Sequence, residues 1–300
     1  MKKFLLHLFS FLMLLLLFYG FLWGRYIIKA NNFDFKLAKE KTILVIGDSQ
    51  TQAAVDDEML KNVQNISMSH DGYFTMLTRL RLYVEANPQI DTVLIALSPH
   101  TLAPHKDEFY ANFGYMGEST KFYLPFFSFS EWTFMIKHDA ADVLSYLVTP
   151  ISFYWDVNDE YREKNYGFFE VVDESHLEED VKEGATRLKT FAADSEELAK
   201  EDSQLASFAN TITRAQLREL KQYCDAKKIK LIGLNTPVYQ AEHYLNIKNF
   251  NHLMSEEFQD IELWDYMDLE IADSCRRDVN HLNRNGATLF SKILAERLSQ

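Results

Sequence analysis

Short apolar runs rich in Val, Ile and Leu recur along this chain, each closed by turn residues and separated by stretches of helical periodicity. The clearest is Thr42-Ile43-Leu44-Val45-Ile46, stopped by Gly47-Asp48-Ser49. Asp91 to Leu97 and Lys230 to Leu234 repeat the pattern, and Val63 to Ser67 and Ile261 to Tyr266 are weaker members of the set. An apolar run without alternation suits a strand buried on both faces, as in a parallel sheet. Phe74, Leu77, Leu80, Leu82 and Val84 mark a helix ending before Asn87-Pro88, Ala215 to Lys227 a second, and Ala287 to Leu298 a closing amphipathic helix. Strands alternating with helices predict an α/β fold, a parallel sheet flanked by helices in three layers.

The amino terminus obeys a different rule. From Phe4 to Trp23 the chain is apolar apart from His7, Ser10 and Gly20. Roughly 20 helical residues cross the hydrocarbon core of a bilayer. Tyr19, Trp23 and Tyr26 sit near the far end, where aromatic rings favour the interface. A cleaved signal peptide has a shorter apolar region and small residues at its cleavage site; bulky Phe21, Leu22 and Trp23 stand there instead. Residues 1–28 are therefore expected to be a short head and an uncleaved transmembrane anchor, 29–41 a polar connector and 42–300 the main domain. Lys2 and Lys3 before the span form the basic head of a signal anchor, which puts the main domain on the extracytoplasmic (periplasmic) side. Arg25, Lys29, Lys36, Lys39 and Lys41 beyond the span argue the other way, but long domains translocate largely regardless of such charges.

The strand–helix rhythm fails between about Thr101 and Asn210. Residues 109–169 are crowded with aromatic side chains and 170–203 are acidic, and Glu174 to Glu183, which includes His176, reads as a solvated acidic helix or loop. The span 101–210 is expected to be a large, mainly helical insertion. It has two readings of equal standing: a cap over the site, or extra helices packed on the core. The formal net charge of −13 and the lack of a basic cluster argue against a nucleic-acid partner. Cys224 and Cys275 are open to two readings, a disulfide or a pair of buried free thiols. His100 and His105 have no Cys or carboxylate at a ligand interval, and neither a Gly-x-Ser-x-Gly elbow nor a nucleotide-binding glycine loop is present. No metal and no cofactor are expected.

Two segments far apart in sequence carry chemistry. Gly47-Asp48-Ser49-Gln50 follows the first strand, and in open α/β sheets ligands bind beyond the carboxyl ends of strands. Ser49 stands where a nucleophile is useful, with its N–H at the start of the next helix, although Gly-Asp-Ser is also an ordinary turn and helix cap. Asp278-Val279-Asn280-His281 precedes the last helix, with Asn283 or Asn285 as its cap. An imidazole that takes a proton from serine needs a partner to orient it and stabilise its cation, and a carboxylate three residues earlier can reach Nδ1. Asp-x-x-His alone is equally a surface turn. Asn235-Thr236-Pro237, after the Lys230–Leu234 strand, either lines the same edge or simply ends the strand.

With these blocks at the two ends of one α/β pattern, the chain resembles the SGNH (GDSL-like) hydrolase superfamily over Thr42–Ser98 and Ala215–Gln300. That resemblance implies a flavodoxin-like three-layer sandwich, Ser49 as nucleophile, His281 as general base and Asp278 as its orienting acid. It also implies an oxyanion donor in Asn65 to Gly72, where Ser69, His70 and Gly72 are the candidates. The third block of the family is Gly-x-Asn-Asp; here Leu97-Ser98-Pro99-His100 stands in its place, without the Asn amide. The anchor and the loosened blocks resemble the membrane-anchored DltD-like and alginate-acetylation proteins. The resemblance implies acyl-ester hydrolysis or acyl transfer, with acetyl the expected group, on an acylated envelope or extracellular glycan, and a polytopic membrane acyl-donor protein as partner. The alternative is a non-catalytic binding or assembly subunit that keeps the fold.

Overall fold

The computed structural model describes residues 2–103, 106–107, 123–148, 211–239 and 247–300. Five strands, β1 (Ile43–Ile46), β2 (Val63–Asn65), β3 (Thr92–Ala96), β4 (Lys230–Asn235) and β5 (Glu262–Asp265), form one sheet in the order β2-β1-β3-β4-β5. Every pairing is parallel; Ile43 sits opposite Val63 on one side and Thr92 on the other, and Thr92 opposite Lys230. This is the doubly wound flavodoxin-like order, in which the chain reverses direction across the sheet after β2. The described helices are α1 (Lys2–Asn31), α2 (Ser49–Ala54), α3 (Tyr73–Ala86), α4 (Phe129–Val148), α5 (Thr211–Lys227), α6 (Ile247–Glu256) and α7 (Arg284–Leu298).

The side-chain period of two sends alternate strand residues into two separate cores. Leu44, Ile46, Val93 and Ile95 pack with Leu77 and Leu80 of α3, Leu217 and Leu220 of α5 and Phe250 of α6. Ile43, Val45, Leu94, Ile232 and Leu234 pack on the other face with Ala54 of α2 and Phe290 and Leu294 of α7. Each fully buried aliphatic side chain contributes about 1.5–3 kcal/mol of transfer free energy. The expected three-layer α/β architecture is what the chain adopts.

Element ends follow local hydrogen bonding. β2 stops at Asn65, short of Ser67, because the Asn65 side chain takes over the backbone there: Oδ1 accepts from Ser67 N at 2.9 Å and Nδ2 donates to Val55 O at 2.8 Å. α5 begins at Thr211, ahead of Ala215, because Asp107 caps it from a distant segment, accepting from Ile212 N at 3.1 Å and Thr213 N at 2.9 Å. α7 begins at Arg284, and of the two candidate caps it is Asn283 that accepts from Gly286 N, at 3.1 Å.

The apolar amino-terminal run is helical and continues to Asn31, past Lys29 where the connector was expected to start. Over Lys2–Ile28 it is long and apolar enough to cross a membrane. Its last turns lie against the domain: Tyr26 and Ala30 are buried, and Trp23 and Phe33 pack with Phe74, Tyr123, Leu124 and Phe127. α4 falls within the span expected to be an insertion. It is kinked at Asp139 and packs on α3, with the Phe134 and Phe74 rings stacked at 5.2 Å and Glu131 bonded to Thr78 and Arg81. His105, His176, the Glu174–Glu183 stretch and everything in 149–210 lie outside the described residues. Cys224 is buried against the α3–α5 side and Cys275 is half-buried, and neither is in a disulfide. Burial pushes the Cys224 thiol up to about 12, which leaves it unreactive.

Gly47 joins β1 to α2 at a point where a Cβ would stand 2.6 Å from Ala96 Cβ and 2.6 Å from Thr51 Oγ1. A Gly47→Ala substitution is expected to destabilise the domain by roughly 1–3 kcal/mol through overpacking, seen as a lower urea midpoint at unchanged m-value.

Candidate active site

Ser49 opens α2 at the carboxyl end of β1, the strand beside which the sheet order reverses. Three local constraints place it there. β1 is buried throughout and Gly47 allows close contact with β3 and α2. Asp48 then caps α2, its Oδ1 accepting from Gln50 N at 3.1 Å. Ser49 itself is half-buried.

The second block arrives from beyond β5. Residues 277–281 form a closed turn, with Arg277 N donating to His281 O at 2.9 Å and Arg276 bridged to Leu282. Asn283 fastens its base, donating from Nδ2 to Ser274 O at 2.8 Å while capping α7. α7 packs with Ala54 and Val55 in the second core, which brings the turn to the β1 end. His281 Nε2 lies 2.9 Å from Ser49 Oγ, and Nδ1 lies 2.8 Å and 2.9 Å from the two oxygens of Asp278. A carboxylate only accepts, so Nδ1 carries the proton in the neutral ring and Nε2 is left to accept from the serine hydroxyl. Asp278 Oδ1 also accepts from the backbone N–H of Asn280 and of His281, both at 2.9 Å. Burial alone would raise this carboxyl; the His281 hydrogen bond and charge, with the two backbone donors, outweigh burial and hold it below the usual carboxylate range. The arrangement is one in which a hydroxyl can pass its proton to a ring oriented by an ionised carboxylate.

The other sequence candidates fall into two groups. The segment after β2 runs beside the end of β1, Met68 N donating to Gly47 O at 2.9 Å. From it Ser69 Oγ donates to Gln52 Oε1 of α2 at 2.8 Å. His70 is exposed in the left-handed region, φ 60°, and Gly72 caps α3 in extended conformation. The segment is thus tied to the β1–α2 junction that carries Ser49. Asn235 is buried at the end of β4, and its Nδ2 donates to Asp265 Oδ1 at 2.9 Å across the β4–β5 pair.

Sequence reasoning missed the polar groups around Asp48, the neighbour of Ser49. Ser98 and Thr101 bond each other reciprocally after β3, Ser98 N to Thr101 Oγ1 at 2.8 Å and Thr101 N to Ser98 Oγ at 3.1 Å. This turn sets His100 Nε2 3.9 Å from Asp48 Oδ2. Lys106 is buried nearby; burial lowers its ammonium and the Asp48 charge partly restores it. Asp71 and Arg79 form a fully buried ion pair at the start of α3, with Thr75 also bonded to Asp71. Burial raises Asp71 and the Arg79 charge opposes that. His100 had one sequence signal, its place directly after a strand on the carboxyl edge. The Asp71–Arg79 pair had only its i, i+8 spacing, which carries no pattern. Among the described residues no group of His, Cys, Asp or Glu is arranged to hold a metal ion.

No family model and no curated protein matches the chain. Among solved structures it is similar to a GDSL-like lipase from Bacteroides thetaiotaomicron VPI-5482, at 10% identity and a TM-score of 0.41, over 92% of this chain and 96% of that chain. The fold assignment rests on the strand order and registers of this chain, not on that likeness.

The depressed Asp278 carboxyl has a signed consequence. A carboxyl whose native pKa lies below its unfolded value of about 3.9 stabilises the fold above that pH and loses the contribution as pH falls through the native value. The stability gap between the natural protein and Asp278→Asn is expected to close as pH falls below about 4, in urea titrations at each pH.

Proposed function

We propose that the chain is a serine-dependent acyl-ester hydrolase or acyltransferase of the SGNH type. The carrying observation is the 2.9 Å contact of Ser49 Oγ with His281 Nε2 while Nδ1 is held by Asp278. In this reading Ser49 Oγ attacks an ester carbonyl as its proton passes to His281 Nε2. Asp278 stabilises the imidazolium, which then protonates the departing alkoxide. The acyl-serine is released when His281 takes a proton from an incoming hydroxyl. Water as acceptor makes an esterase; a sugar hydroxyl makes an O-acyltransferase. The Ser49 N–H at the start of α2 and the Ser69–Gly72 segment beside it supply oxyanion donors. The glycan acceptor, the acetyl group and a membrane acyl-donor partner rest on family resemblance alone.

The Leu97-Ser98-Pro99-His100 stretch, which lacks the family's Asn amide, favours the second reading, a binding or assembly subunit with a dormant site. Losing one oxyanion donor costs about 100–1000-fold in rate. Exposing the full chain in detergent to a fluorophosphonate separates the two. A single adduct, absent in Ser49→Ala, with a fall in ester hydrolysis on the order of 10⁴-fold or more in that variant, supports the catalytic reading. No adduct on folded protein supports the binding subunit.

α1 is proposed to remain as the anchor and to place the domain outside the cytoplasm. Its support is the burial of Tyr26 and Ala30 and the packing of Trp23 in the aromatic cluster, which make the end of the helix part of the domain. Protease added to spheroplasts is expected to digest the domain, and the untreated chain to keep the mass of the full sequence. Protection until lysis would reverse the orientation, and loss of the amino-terminal run would make it a signal peptide.

A further inference from the structure

Arg276 lies two residues before Asp278, in the bridge with Leu282 that closes the His281 turn. It is 3% exposed, and its Nε and Nη1 are sealed from solvent without a hydrogen-bond partner. Asp273 acts on it through space, but no ion pair joins the two. The guanidinium instead faces the ring of Tyr239, 5.8 Å from the ring centre. Tyr239 follows β4 on the carboxyl edge of the sheet, and its N–H donates to Val279 O at 3.0 Å. Arg276 and Tyr239 therefore flank the same turn that presents Asp278 and His281.

A buried cation without an anionic partner is costly, and a cation–π contact returns only part of that cost. Asp278 is already engaged by His281 and by two backbone donors. With a net charge of −13, the protein as a whole does not attract anions; recognition of an anion has to come from a local, desolvated charge of this kind. A guanidinium donates to a carboxylate or phosphoryl group, and Nη2 of Arg276 is not among its sealed atoms.

We infer that Arg276, backed by Tyr239, is the specificity-determining residue for an anionic substrate: it binds a carboxylate or phosphoryl group carried by the ester beside the His281 turn. This rests on the reading of Ser49 as nucleophile. The anion is bound, not transformed, and the chemistry at Ser49 is unchanged.

The test compares the full chain in detergent with Arg276→Met and Arg276→Lys. The substrates are p-nitrophenyl acetate, which is neutral, mono-p-nitrophenyl glutarate, with the charge on the acyl side, and acetoxyacetate, with the charge on the alcohol side. Arg276→Met is expected to raise KM for at least one charged ester by roughly 10–100-fold more than for the neutral ester, and to be partly rescued by Arg276→Lys. An equal loss on neutral and charged esters, or no change on any, overturns the inference. If Arg276→Met does not fold, the natural protein decides: glutarate or inorganic phosphate should slow fluorophosphonate labelling competitively, and failure of both overturns it. A stronger effect of one anion names the group recognised. If the natural protein neither hydrolyses esters nor labels, titration calorimetry of glutarate and phosphate against Ser49→Ala, with and without Arg276→Met, separates the two ideas. Arg276-dependent binding keeps the anion site while the catalytic reading fails, and no binding removes the anion site as well.

Discussion

The pairing of β1 with both β2 and β3 is the constraint on which the rest depends. Once β1 is central and parallel to its neighbours, both of its faces must be covered. Its alternating residues enter two cores, Leu44 and Ile46 on one side and Ile43 and Val45 on the other. The order β2-β1-β3 then sends the chain to opposite sides of the sheet from adjacent strand ends. Nothing in a doubly wound sheet fills the crevice left there. Ser49 opens a helix at its lip, and the absence of a Cβ at Gly47 lets β1, β3 and α2 come close enough to hold it.

The remaining half of the site is built differently. Ser49 is fixed by the strand beneath it, whereas Asp278 and His281 are held by a turn closed by its own hydrogen bonds. Asn283 makes that turn possible by serving two structures at once, the start of α7 and the carbonyl of Ser274. Gly286 has the same double duty: a Cβ there would stand 2.1 Å from Cys275 O, so the first turn of α7 and the approach to the His281 turn share one tight contact. A precise meeting of side chains 232 residues apart follows from two rigid local pieces laid on one sheet.

Much of this was legible in the sequence because it is written in local patterns. Buried strands announce themselves by uninterrupted Ile, Leu and Val, and the central helices by their period. The start of α2 at Ser49 was legible but its extent was not: Ser49–Ala54 is a short polar helix with no apolar stripe, and its buried Gln50, Thr51 and Gln52 look like loop residues until the sheet covers them. The true start of α5 was hidden because its cap, Asp107, is supplied from over 100 residues away. The placement of Asn235 shows the same limit. Read as the residue after a strand, it is the last residue of β4, and its amide turns to Asp265, a partner that only the β4–β5 pairing supplies. Polar residues buried by remote segments leave no periodic trace, so Asp71, Arg79, Lys106 and Arg276 could be found only in three dimensions.

Those buried charges divide into two kinds, and the division bears on how the protein works. Asp71, just before α3, and Arg79, within it, form a buried ion pair. Breaking such a pair leaves an uncompensated charge and costs about 3–5 kcal/mol, so the pair locks the Ser69–Gly72 segment in one arrangement. Among the described residues Arg276 has no such ion pair, and the same physics leaves its cost outstanding there. A fold held together by two full hydrophobic cores can carry one such cost, whereas a marginal domain cannot. The covered sheet thus gives the site its position and also bears the cost of a charge that has no ion pair among the described residues.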